Sequence, residues 1–182
     1  MTRLIAGAAG GRRLATPTGR GTRPTSDRVR EGLFSALEAL RGGLAGAAFL
    51  DLYAGSGAVG LEAASRGATR VVMVERDPSA LKVIRSNAEG LQVSGVTVVG
   101  AAVTKFLAGP PSPYDIVFLD PPYADPVDAT LAALAGGGWL SEGALVCVER
   151  ATREAGVTWP DGLDALRSRR YGDTTLCYGR AS

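Results

Sequence analysis

"FLDLYAGSGAVG", residues 49–60, carries the decision about the fold. The apolar run 48–52 reads as a strand buried on both faces, interrupted only by Asp51 near its carboxyl end. Gly55, Gly57 and Gly60 follow at the Gly-x-Gly-x-x-Gly spacing, and the stretch 58–66 reads as a helix that stops at Gly67. A strand, a glycine turn and a helix in that order open a parallel α/β sheet, in which ligands sit beyond the carboxyl ends of the strands.

The alternation continues outward from this unit. Strand-like runs fall at 70–75, 96–99, 114–119 and 144–148, and helical stretches at 78–89, capped by Asp77, and at 126–134. Before the first strand, Thr25 or Ser26 caps a helix whose apolar positions Val29, Leu33, Leu37 and Leu40 recur every three or four residues. The end differs, because 165–171 and 174–178 are joined by Gly172-Asp173 and read as a hairpin. The expected fold is therefore α/β and Rossmann-like, a mostly parallel seven-stranded sheet with helices on both faces and a C-terminal antiparallel hairpin. Residues 26–182 are expected to form one domain, preceded by a glycine-rich basic arm over 1–25.

Composition narrows the chemistry. The chain of 182 residues contains no histidine, which excludes His-based triads, His general bases and the common zinc sites, and no metal is expected. Cys147 and Cys177 show no paired or metal-type spacing and read as buried thiols in a reducing compartment. With no secretory signal and no run of membrane-spanning length, the expected location is cytoplasmic and no membrane partner is expected. The net charge is only +2, but Arg3, Arg12, Arg13, Arg20, Arg23, Arg28 and Arg30 face a single acid, Asp27, within the first thirty residues. A basic arm on a mildly acidic body suits a polyanion, and it equally suits a solvated tail.

The glycine motif alone does not choose the ligand. Glu75 closes the second strand twenty residues after Gly55, the spacing of an acid that holds ribose hydroxyls. Asp51 discriminates. A pyrophosphate would be repelled by a carboxylate at the end of the first strand, whereas S-adenosylmethionine carries an ammonium and a sulfonium and no phosphate.

A second motif, Asp120-Pro121-Pro122-Tyr123, follows the strand 114–119. Two prolines fix successive φ angles and remove two donors, leaving a rigid segment rich in acceptors. Such a segment suits an exocyclic amine whose lone pair is delocalised into a ring. The Asp120 carboxylate and the Pro121 carbonyl would hold its two hydrogens, and Tyr123 would stack on the base.

The motif resembles that of the Asp/Asn-Pro-Pro-Tyr amino-methyltransferases. Together with "RPTSDRVREGLFSAL" (23–37), "FLDLYAGSGAVGLEAASRGA" (49–68) and "VERD" (74–77), the chain is similar to the RsmD-type 16S ribosomal RNA guanine-N2 methyltransferases over most of its length. That resemblance implies a monomeric enzyme that uses S-adenosyl-L-methionine on 16S ribosomal RNA or a small-subunit assembly intermediate. It implies cofactor contacts from Asp51, Ala54, Gly55, Gly57, Glu75, Arg76, Ala102 and Asp120, with catalysis at Asp120, Pro121, Pro122 and Tyr123. The arm implies RNA contacts by Arg12, Arg13, Arg20, Arg23 and Arg28. Two other readings stay open: a DNA adenine-N6 methyltransferase, for which the chain leaves little room for a sequence-reading domain, and a non-catalytic RNA-binding assembly factor.

Overall fold

The structure is a computed structural model describing residues 2–17, 26–122, 124–125, 127–154 and 156–182. In chain order its elements are β1 (Thr2–Arg3), β2 (Arg13–Leu14), α1 (Asp27–Arg41), β3 (Ala48–Leu52), α2 (Ala58–Ser65), β4 (Arg70–Glu75) and α3 (Pro78–Leu91). There follow β5 (Val96–Gly100), α4 (Val103–Leu107), β6 (Tyr114–Leu119), α5 (Val127–Gly136), β7 (Leu140–Ala151), β8 (Leu163–Tyr171) and β9 (Thr174–Ala181).

The main sheet has seven strands in the order β5-β4-β3-β6-β7-β9-β8. β5 to β7 along that order are parallel, and β9 and β8 join antiparallel, so the architecture matches the sequence expectation. The chain winds outward from β3 to β4 and β5, then returns to place β6 on the other side of β3. Loops after β3 and β6 diverge at that reversal and leave a crevice between them.

Alternate strand residues feed two cores. Phe49, Met73, Ile116, Phe118 and Tyr178 pack against α1, α2 and α3, whereas Leu50, Val74, Val117, Leu119 and Val148 pack against α4 and α5. α1 begins where Ser26 accepts a hydrogen bond from Val29 N (3.3 Å), carries Asp27 in its first turn and ends at Gly42, whose φ is 88°. Its face of Val29, Leu33, Phe34 and Leu37 is buried. At full burial each such side chain contributes about 1.5–3 kcal/mol.

Three features differ from the sequence expectation. α4 is only five residues long, too short to show a helical period. β7 runs twelve residues because it continues through Gly143 (φ 69°), where pairing with β6 shifts register, and a glycine inside an apolar run hides such a start. The described part of the arm, residues 2–17, does not stand apart from the body. β1 pairs with β2, and Leu4 and Leu14 are buried in the α1–α3 core. The fully buried carboxylate of Glu62 on α2 accepts Ile5 N (2.8 Å) and Ala6 N (3.0 Å), and Ser65 Oγ accepts Ala9 N (2.9 Å). Charge-assisted hydrogen bonds such as the two at Glu62 are worth about 1.5–3 kcal/mol each, enough to hold a segment with few apolar residues.

Candidate active site

The glycine loop is shaped by what lies beneath it. Tyr53 (φ 65°), Gly55 (φ 57°) and Gly57 (φ 77°) all lie in the left-handed region, so the chain turns sharply between β3 and α2. A Cβ on Gly60 would come within 2.5 Å of Met73 Cγ, and one on Gly57 within 3.1 Å of Ile84, so both glycines let α2 sit close on the sheet. Gly55 differs, because a Cβ there would meet nothing nearer than Tyr53 O at 4.0 Å. It leaves its backbone open to a ligand.

Beside this loop lies a cavity of about 1190 Å³. Asp51 and Asp120 enter it from the adjacent parallel strands β3 and β6, with Asp120 N hydrogen-bonded to Leu52 O at 3.5 Å. Asp51 is only 1% exposed, and its Oδ2 accepts Gly60 N at 2.9 Å. Burial pushes its pKa up to about 7, with Gly60 N opposing and Glu75 adding to the rise. Glu75 enters from β4, and both its carboxylate oxygens accept backbone donors: Oε2 accepts Gly55 N (2.9 Å), and Oε1 accepts Arg76 N and Asp77 N (2.8 Å each), which leaves one acceptor site on Oε2.

No described residue donates to the Asp120 carboxylate. Burial first, then the charges of Glu149, Asp51 and Glu154, push its pKa well above the ordinary carboxylate range. Asp120 and Pro121 also line a second, smaller cavity of about 250 Å³ with Glu149, Glu154, Tyr171 and Asp173. They therefore form the wall between two spaces. Pro122 lines the larger cavity, and Tyr123 lies outside the described residues.

A family model described as "Conserved hypothetical protein 95" matches residues 2–180. "Ribosomal RNA small subunit methyltransferase D" of Escherichia coli is 38% identical over 171 residues, covering 93% of this chain and 85% of that protein. The protein of the same name from Haemophilus influenzae is 33% identical, covering 93% of this chain and 89% of its own length. The chain belongs to the RsmD-type methyltransferase family. The solved structure of the Escherichia coli protein yhhF superposes with a TM-score of 0.89 at 34% identity, covering 99% of this chain and 97% of that one.

Within this RsmD-type chain, Ala54, Gly55, Glu75, Arg76 and Ala102 line the large cavity together with the two aspartates. Gly57 caps α2 behind the loop, and Ala102 caps α4 with no side-chain contact, after Ala101 N has bonded to Glu75 O (3.0 Å). The arginines scatter. Arg12 Nη2 donates to Gly90 O (2.6 Å) in the last turn of α3, at the opposite end of that helix from the cavity. Arg13 is exposed on β2, and Arg28 is exposed in the first turn of α1. Arg20 and Arg23 lie outside the described residues.

Three contributions escaped the sequence reading. Thr16 and Pro17 bring the arm to the cavity wall, a path fixed by Asn87, whose side chain accepts Ala15 N (2.9 Å) and donates to Ser56 O (3.2 Å). Tyr53 lines the cavity from a strained backbone position that a tyrosine gives no sign of. Glu149 was legible by the rule that picked out Asp51 and Asp120, since "ALVCVE" is also an apolar run ending in an acid.

Proposed function

We propose that the chain is an S-adenosylmethionine-dependent methyltransferase of the guanine N2 amine in 16S ribosomal RNA of the small ribosomal subunit. The observation that carries this reading is the pair Asp51 and Asp120, delivered by neighbouring strands to one cavity beside an open glycine. The cavity can hold the cofactor: about 1190 Å³ is ample room for a nucleoside joined to an amino acid, and a buried acid whose Oδ2, among the described residues, accepts only Gly60 N suits an ammonium. When bound, the cofactor supplies a methyl group on a positively charged sulfur.

The residues of this chain then divide the work. Asp51 faces the ammonium, Gly55 allows close backbone approach, and Glu75 Oε2 keeps a lone pair for a ribose hydroxyl. Asp120 and the Pro121 carbonyl hold the two hydrogens of the target amine and favour a more tetrahedral nitrogen, whose lone pair points at the methyl. Tyr123 stacks on the base. The amine loses its spare proton to water after transfer. Asp120 is the stronger acceptor when ionised, because a protonated carboxyl turns one oxygen into a donor, and a cation in the large cavity favours the ionised form against the burial and repulsion that raise its pKa. Cofactor binding and ionisation of Asp120 therefore support one another.

The acidic lining of the smaller cavity supports guanine over adenine, because guanine presents N1–H and N2–H donors side by side. Relatives named for ribosomal RNA of the small subunit support the substrate class. The test is nucleoside mass spectrometry after incubating the protein, labelled S-adenosylmethionine and small-subunit particles lacking the modification. N2-methylguanosine is the expected product. Label found only as N6-methyladenine in added DNA would replace the reading, and no transfer alongside RNA binding would leave the non-catalytic one.

A further inference from the structure

We infer that the outer edge of the sheet, strand β8, is a docking surface for the RNA backbone flanking the target nucleotide. The inference rests on the proposed RNA substrate and adds a surface apart from the arm. β8 is the end strand, and every residue from Asp164 to Arg170 is exposed. Arg167, Arg169 and Arg170 stand there against one acid, Asp164, and none of the three pairs with an acidic side chain of a described residue.

The stripe leads to the site. Arg167 lies over the Tyr178 ring and Arg169 over the Tyr171 ring, each with Cζ 5.5 Å from the centroid, so aromatic faces hold both side chains while their N–H edges stay in solvent. Arg167, Arg169 and Tyr171 alternate along the strand and share one face. Tyr171 packs against α1 at Gly32, where a Cβ would meet its hydroxyl at 2.3 Å, and it lines the small cavity that ends at Asp120. Arg28 is exposed one turn before Gly32 on the same helix.

Charge explains why such a rim is needed. The small cavity is lined by Asp120, Glu149, Glu154 and Asp173, with Arg150 already paired to Glu154 at 3.0 Å. A polyanion approaching that opening is repelled unless cations stand at its border. Arg12, tied to the far end of α3, does not supply them.

The alternative is that these arginines merely keep an edge strand from pairing with another molecule. The full-length Arg167→Gln/Arg169→Gln double variant separates the two. Its binding to transcribed small-subunit ribosomal RNA is measured across potassium chloride concentrations. The slope of log affinity against log salt should shrink by about 1.4, two contacts at about 0.7 each, and the Michaelis constant for RNA should rise roughly tenfold. The turnover number, cofactor affinity and melting temperature should stay unchanged. The Arg167→Lys/Arg169→Lys variant should restore the slope. An unchanged slope in the Gln variant, with or without self-association, overturns the surface. Absence of methyl transfer by the unmodified protein would instead overturn the proposed function, while the slope comparison still decides the surface.

Discussion

Glu75 and Asp120 end strands on either side of β3 and face the same cavity, yet their surroundings are opposite. Glu75 accepts three backbone N–H groups. Asp120 accepts none from the described residues and sits among Glu149, Asp51 and Glu154. The first carboxylate has spent most of its acceptor capacity on shaping the glycine loop and the start of α3. The second keeps its capacity for whatever enters. A site can thus place two acids within one cavity and give one to architecture and one to chemistry, purely by where the backbone donors point.

The largest expected effect tests the chemical half of this contrast. Asp120→Ala should slow methyl transfer on the order of 10²- to 10³-fold, about 3–4 kcal/mol of barrier, while cofactor affinity by calorimetry changes only a few-fold. Because the pKa of Asp120 is raised in the cofactor-free protein, the acidic limb of the unmodified enzyme's kcat/KM profile for the cofactor should lie above the ordinary carboxylate range, with kcat/KM rising as pH increases. Parallel loss of binding and rate would erase the distinction.

Next in size, Glu75→Ala strips the acceptor from Gly55, Arg76 and Asp77 and should weaken cofactor binding by about 1–3 kcal/mol. Rate at saturating cofactor should fall far less than for Asp120→Ala. A slow variant with undiminished affinity would show that Glu75 belongs with the chemistry after all.

Asp51 is the intermediate case, with one backbone donor. Gly60→Ala, which drives a methyl into Met73, should cost roughly 1–3 kcal/mol of stability by thermal or urea unfolding. A fully stable Gly60→Ala protein would mean the α2–β4 contact is looser than the structure has it.

The effect that is smallest per step of the variable, though not over its whole range, is a slope in pH. Asp51 titrates near 7 when folded and near 3.8 when unfolded, so its contribution to stability is complete below pH 3.8 and is lost as pH rises towards 7. Against Asp51→Asn, which keeps an acceptor for Gly60 N, the native chain should lose stability over that window by at most about 1.4 kcal/mol per pH unit. Binding a cationic cofactor should reverse the trend and release protons. Equal pH dependence in both proteins would remove Asp51 from the account.

Legibility in the sequence follows the same divide. The strands, the glycine spacing and the acids at strand ends are local patterns, and β3, β4 and β6 lie where periodicity puts them. The hydrogen bonds that separate Glu75 from Asp120 depend on loop conformation, which no period encodes. The arm was harder still. Glu62 reads as a polar residue on a small-residue helix, and nothing near it in sequence reveals that Ile5 and Ala6, more than fifty positions away, supply its donors. The β8 arginines were visible as charges, but their relation to Asp120 exists only once Tyr171 is packed on Gly32.

Met73 lies wholly buried under Gly57 and Gly60, and the only other methionine is Met1. The packing that lets α2 approach the sheet leaves no room for an added oxygen on that sulfur, so peroxide reaches it only when the glycine loop lifts. The rate at which the Met73 peptide gains the mass of one oxygen is therefore a clock for loop opening in the intact protein. A ligand that seats itself against Gly55 should make that clock run slow.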